Sequence, residues 1–281
     1  MKTKSALSWF GSDASVAAEL ASMLDGCTHV TIPFVGGASI IPHLKARAIV
    51  ANDLNNLAIN FYKVVAGIHG DRQWLFKQCS STLSHPQELV QATAVLAAPD
   101  IWCATDLAWA YWAQVWLGRK GTGGTDRVHK TKPSIRWSAN GGTNSSRLSS
   151  AADDLALWAE HFERCEFTCL DFREIAAKLK DDPKCGSYWD APWPTAGDRY
   201  IHKFTEQDHG DMRDVVGKFE HHRIVIRYGD HPMIRDLYAD NHWTITDASS
   251  RTQANKNIGE IWITNFDLKA GDAVSLEESD G

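Results

Sequence analysis

The chain has 281 residues, an apolar fraction of 43%, a charged fraction of 23% and a net charge of −6. These values are ordinary for a folded soluble protein, allow one large α/β domain with a sizeable insertion, and argue neither for nor against a nucleic-acid partner. No window approaches the roughly 18 consecutive apolar residues that span a bilayer, and MKTKSALSWFGSDAS lacks the unbroken apolar core of a signal peptide, so the expectation is a cytoplasmic chain with no membrane partner.

A short amphipathic helix is expected near 14 to 24. THVTIPF (28 to 34) reads as a buried strand running into GGAS, ARAIVAND (46 to 53) as a second strand ending in an acid, and LNNLAINFYKVV as the helix that follows. This βαβα opening favours a parallel sheet covered on both faces, with ligands outside the carboxyl ends of the strands. From about 69 to 117 the pattern is helical, and the aromatic residues of WCATDLAWAYWAQVWL read as core. Residues 118 to 150, rich in Gly, Ser and Thr, read as a long loop or irregular hairpin.

Sheet signals resume with a helix near 150 to 163, a strand at EFTCL (166 to 170), a helix from Asp171 and a strand at CGSYW. HHRIVIRY (221 to 228), HWTITDA (242 to 248) and EIWITNF (260 to 266) read as later strands. The expected fold is a doubly wound sheet interrupted by an insertion. Residues 1–68 and 150–281 would form the catalytic domain, and 69–149 a helical and basic-loop insertion. The six cysteines (27, 79, 103, 165, 169 and 185) are scattered, with one close pair and no histidine at ligand spacing; they read as reduced, buried thiols with no metal site.

PFVGGAS follows a strand and precedes a helix, so its glycines would let backbone approach a ligand closely. Asp53 closes the next strand 17 residues after Gly36, where an acid can accept hydrogen bonds from ribose hydroxyls. The G-x-G-x-x-G fingerprint of a pyrophosphate turn is missing, which favours an adenosine carrying a non-phosphate tail. Asp190-Ala191-Pro192-Trp193 ends another strand of the same sheet, facing the same crevice. The prolines could simply stop that strand and Trp193 pack nearby. Chemically, however, an exocyclic amine on an aromatic base is a poor nucleophile. A carboxylate and a backbone carbonyl accepting its N–H bonds favour the reactive form, while an aromatic face holds the base flat.

Taken together, LSWFGSDASVAAELASML, IPFVGGAS, NDLNNLAINFYKVV, YWDAPWP and EIWITNF resemble, in order, segments of the D12-class adenine-specific N6 DNA methyltransferases, the DNA adenine methylase family. The resemblance is weakest between about 70 and 150. It implies a doubly wound mixed sheet of the S-adenosylmethionine-dependent methyltransferase type, with an inserted helical and loop DNA-recognition domain. It also implies double-stranded DNA as partner, with no obligate protein partner and no metal. S-adenosylmethionine would contact Phe34, Gly36, Gly37 and Asp53, with Trp9 and Gly11 on its methionine side and Asp171 and Phe172 at its adenine; Asp171 is equally a good N-cap and Trp9 a good core residue. Asp190, Ala191, Pro192 and Trp193 would be catalytic, on a base flipped from the duplex. The leading carboxylate of that tetrapeptide points to adenine over cytosine. Ala191 stands where the family most often has proline, Trp193 where it has tyrosine, and Asp13 where it has lysine.

Residues 118 to 150 hold seven basic side chains and one acid, a net +6 within a chain whose total is −6. A solvated loop can collect lysines, but a glycine-rich basic strip beside a base pocket is also what phosphate contact requires. Arg119, Lys120, Arg127, Lys130, Lys132 and Arg147 are the candidate nucleic-acid contacts, with Arg136 and Trp137 for base or wedge contacts. Three alternatives stay open: an inactive nucleic-acid-binding relative, an RNA substrate and a small-molecule N-methyltransferase.

Overall fold

The computed structural model describes residues 5–12, 14–118, 124, 143–194, 201–253 and 256–268. Short apolar runs build the sheet: β1 (His29–Ile32), β2 (Ala48–Asn52), β3 (Cys165–Thr168), β4 (Cys185–Trp189) and β5 (Arg223–Gly229) are parallel, while β6 (Thr244–Gln253) and β7 (Lys256–Thr264) form a terminal antiparallel pair. The order is β3-β2-β1-β4-β5-β7-β6. The winding therefore reverses between β1 and β4, which places the topological crevice at their carboxyl ends.

Side chains alternate between the two faces as the pleat demands. Tyr188, Val225 and Trp262 join one buried cluster, whereas Trp189, Ile224, Ile226, Ile261 and Ile263 join the other. The first cluster is covered by α1 (Ala17–Ser22), α2 (Asn56–Val65), α3 (Arg72–Ser81), α4 (Pro86–Ala97), α5 (Ala104–Leu117), α6 (Asn144–Asp153) and α7 (Leu155–Phe162). The second lies against α8 (Phe172–Ala176), α9 (Glu206–Val216) and α10 (Pro232–Leu237). Helices α3 to α5 do not have a core of their own: Leu75, Leu89, Trp109 and Trp112 share the cluster that contains Ile49 and Phe61. Trp109, Trp112 and Trp116 are core as expected, and Trp102 is exposed.

Three expectations need correction. The loop expected over 118 to 150 is helical from Asn144, capped by Thr143, whose hydroxyl accepts from Ser146 N–H while the Ser146 hydroxyl accepts from Thr143 N–H. This capping box starts α6 despite the low helix preference of NSSRLSS. The single helix expected near 150 to 163 is two, broken at Asp154. All six thiols are free, but Cys103 and Cys169 are exposed and Cys185 half-buried; Cys103 immediately precedes α5 and Cys169 follows the last residue of β3, where the chain leaves the core. Among the described residues no helix is long and apolar enough to cross a membrane.

Candidate active site

The loops leaving β1, β2 and β3 are tied together by residues of the NDLN run. Buried Asn52 donates to the carbonyls of Pro33 at 3.0 Å and Leu170 at 2.8 Å, and accepts from Thr168 Oγ1 and Leu170 N–H. Every hydrogen-bonding valence of the amide is used. Asn55 caps α2 through Ala58 N–H and donates to the Tyr111 hydroxyl at 2.9 Å, which brings α5 to the same loop. Asp53 is held by backbone: Oδ2 accepts from Gly36 N–H and Oδ1 from Asn55 N–H, both at 2.9 Å. Burial pushes its carboxyl above the ordinary aspartate range, against the downward pull of those two donors.

One cleft of about 970 Å³, including its open mouth, lies at the carboxyl ends of these strands. Trp9, Gly11, Phe34, Gly36, Gly37, Asp53, Asp171 and Phe172 all line it, as do Asp190 and Pro192. The Phe34, Phe172 and Phe204 rings form a triangle with centroids 5.5 to 5.8 Å apart. Asp171 is also the N-cap of α8, in a capping box with Glu174. The glycine turn also makes room within the chain itself. Gly36 has φ +48°, and a Cβ there would lie 2.9 Å from the Trp9 indole nitrogen. One at Gly37 would lie 3.0 Å from Trp9 Cβ. The missing side chains make room for Trp9, a residue of the chain itself. Gly124, with φ +77°, meets the far edge of the same indole, and its carbonyl accepts from Ile201 N–H at 3.0 Å.

Asp190 lies one residue beyond β4, on the same side of the pleat as Tyr188. Its Oδ2 accepts from Arg227 Nη1 at 2.9 Å. Arg227 is fully buried in β5; its Nε and Nη2 bind the two oxygens of Glu260 at 3.1 and 3.0 Å, and Nη1 also reaches the Gly11 carbonyl at 3.3 Å. Trp193 packs over this group: its centroid is 5.1 Å from the Arg227 guanidinium carbon, and its ring presses on Gly229. Ala191 is buried in the core beside α9. Neither Ala191 nor Trp193 is among the residues lining the cleft, so base stacking by Trp193 would require its ring to leave this seat. On the opposite wall Arg173 binds Asp171, Asp208 and Asp211, joining the starts of α8 and α9.

The lining carries the kinds of group that a nucleoside would need. Aromatic faces can take a purine, carboxylate oxygens at Asp53 and Asp171 can accept from hydroxyls and an exocyclic amine, and a further carboxylate stands on the neighbouring strand. Residues 9–94 match the family model of the D12 class N6 adenine-specific DNA methyltransferases. No curated protein matches the chain significantly. The D12 match covers the first cleft-lining segment, the glycine turn and Asp53, and ends within α4. Asp171, Phe172 and the DAPW tetrapeptide lie beyond it.

Of the candidate nucleic-acid contacts, Arg119, Lys120, Arg127, Lys130, Lys132, Arg136 and Trp137 lie outside the described residues, as does Asp13. Arg147 is bound within the protein, donating to Ser8 Oγ at 2.6 Å with its guanidinium over Trp116. The sequence reading passed over Asn52, Asn55, Tyr111, Arg173, Arg227, Glu260 and the cleft-lining run His202 to Phe204. A signal existed for two of them: Arg227 and Glu260 are charges inside otherwise apolar strand runs, where a charge persists only with a partner.

Proposed function

We propose that this protein transfers a methyl group from S-adenosylmethionine to the N6 amine of a flipped adenine in DNA. The observation that carries the reading is that Asp190, the glycine turn, Asp53 and the Asp171–Phe172 pair line one cleft at the β1/β4 reversal. Trp9, Gly11, Phe34, Gly36, Gly37, Asp53, Asp171 and Phe172 would hold the cofactor. When bound, S-adenosylmethionine supplies an electrophilic methyl on a sulfonium.

Asp53 accepts from the ribose hydroxyls while its two backbone donors keep the carboxylate oriented. Phe172 and Phe34 offer faces to the adenine ring, and Asp171 accepts from its amine. On the acceptor side, the Asp190 carboxylate accepts an N–H bond of the target amine. This turns its lone pair out of conjugation and fixes it for in-line attack. The nitrogen gains the methyl and loses one proton, which leaves by way of the Asp190 carboxylate to solvent. Pro192, which lines the cleft, fixes the backbone that follows Asp190.

Residues 69–149 would read the DNA target from a position anchored on the catalytic core. Support comes from Gly124, which meets the cleft residue Trp9, and from the net positive charge of the strip around it. Lys203 at the cleft adds a cation for the flanking phosphates. Asp190→Ala tests the reading. Methyl transfer to unmethylated genomic DNA should fall by about 1,000-fold or more, while calorimetry shows unchanged S-adenosylmethionine affinity. Unimpaired transfer by the variant refutes the assignment.

A further inference from the structure

We propose that Arg227 and Glu260 are positioning residues that hold Asp190 in register with the cofactor wall, an inference resting on the methyl-transfer reading above. Burying a guanidinium inside a strand costs several kcal/mol, and an apolar pair of similar volume is often as stable or more so. The three directions in which the Arg227 fork is used give the burial a purpose. Two nitrogens grip Glu260 side-on, and the third bridges the Asp190 carboxylate and the Gly11 carbonyl. Gly11 belongs to the cofactor wall and Asp190 to the acceptor wall. A single planar group therefore spans both, and its fixed fork geometry sets their separation; a lysine, as a point charge, could not do this.

Glu260 settles the electrostatics. Arg227 alone would neutralise Asp190 and weaken it as an acceptor for the target amine. With Glu260 bound to the opposite edge, the three groups sum to one negative charge. Glu260 is 2% exposed and Arg227 0%, whereas the Asp190 side chain is 18% exposed, so the surplus charge faces the cleft. Trp193 covers the guanidinium from the remaining side, where it seals the pair instead of stacking on a base.

The test is the double variant Arg227→Met with Glu260→Leu, which removes both buried charges together. Folding is followed by thermal unfolding, S-adenosylmethionine affinity by calorimetry, and methyl transfer to unmethylated DNA as kcat per cofactor-binding site. The expected result is a folded protein with affinity within about threefold of wild type and kcat lowered about 100-fold, the penalty for a reacting group displaced by about an ångström. A purely structural role would lower thermal stability and leave kcat per site unchanged, which overturns the proposal. If the double variant does not fold, Glu260→Gln carries the same test, since it keeps the size and removes the offsetting charge: lowered kcat at unchanged affinity supports the proposal, and unchanged kcat overturns it. A wild-type chain that methylates no DNA refutes the methyl-transfer reading and this inference with it. An active wild type with an equally active double variant refutes the inference alone.

Discussion

Asp53 and Asp190 stand just beyond two strands that flank β1, and they are held by opposite means. Asp53 is fixed by the backbone N–H groups of Gly36 and Asn55. Asp190 is fixed by a side chain on the next strand, itself bound to a third strand. Neutral backbone donors orient a carboxylate without offsetting its charge. A carboxylate held by arginine needs a second acid behind that arginine if it is to stay negative. Asp53 is thus held by neutral backbone groups of its own and the adjoining loop, and Asp190 by a charge network across three strands.

The sharpest way to break the comparison is Arg227→Met alone, which leaves Glu260 buried and uncompensated. The expected loss of stability is about 3 to 5 kcal/mol, read by denaturant unfolding; a loss below about 1 kcal/mol would mean that the acceptor side does not depend on this network. The next effect concerns His209 in α9, behind the Phe34–Phe172–Phe204 triangle, with Nδ1 2.8 Å from the Tyr228 hydroxyl and its ring against Phe204. Burial holds its pKa down at about 4, below the roughly 6.5 of an unfolded imidazole. The unfolded chain therefore binds the extra proton, and stability should fall as pH drops from about 6.5 to about 4, by about 3 kcal/mol in total. Unfolding of His209→Phe across that range should lack this component, and an identical pH dependence in the variant would contradict it.

The smallest effect is expected on the cofactor side. Asp53→Ala leaves two N–H groups to find water, at a cost of about 2 kcal/mol, and should weaken S-adenosylmethionine binding about tenfold, near 1.4 kcal/mol. Calorimetry and unfolding of the same preparation check both numbers. If Asp53→Ala destabilised the protein more than Arg227→Met, the contrast between the two sides would be reversed.

The same contrast explains what could be read in the sequence. Strands leading to Gly36, Asp53 and Asp190 were legible because apolar runs with sharp ends are local, and the capping of α8 by Asp171 was legible for the same reason. The doubly wound order followed from βαβ alternation. The roles of Asn52, Tyr111, Arg227 and Glu260 were not legible, because each depends on which strand lies beside which: Arg227 meets Asp190 across 37 positions and Gly11 across 216. One contact of the glycine turn was out of reach for a related reason. Gly36 and Gly37 pointed to close approach, and one group that packs on them is Trp9, more than 20 positions upstream. The start of α6 was missed because a Thr–Ser capping box outweighed a polar, serine-rich segment that otherwise reads as loop.

The most direct measurement is nucleoside analysis of unmethylated genomic DNA after incubation with the protein and methyl-labelled S-adenosylmethionine. The account predicts label in N6-methyladenine with wild type and none with Asp190→Ala. Label in N4-methylcytosine, or no labelled base with a wild-type protein that binds S-adenosylmethionine, would contradict it.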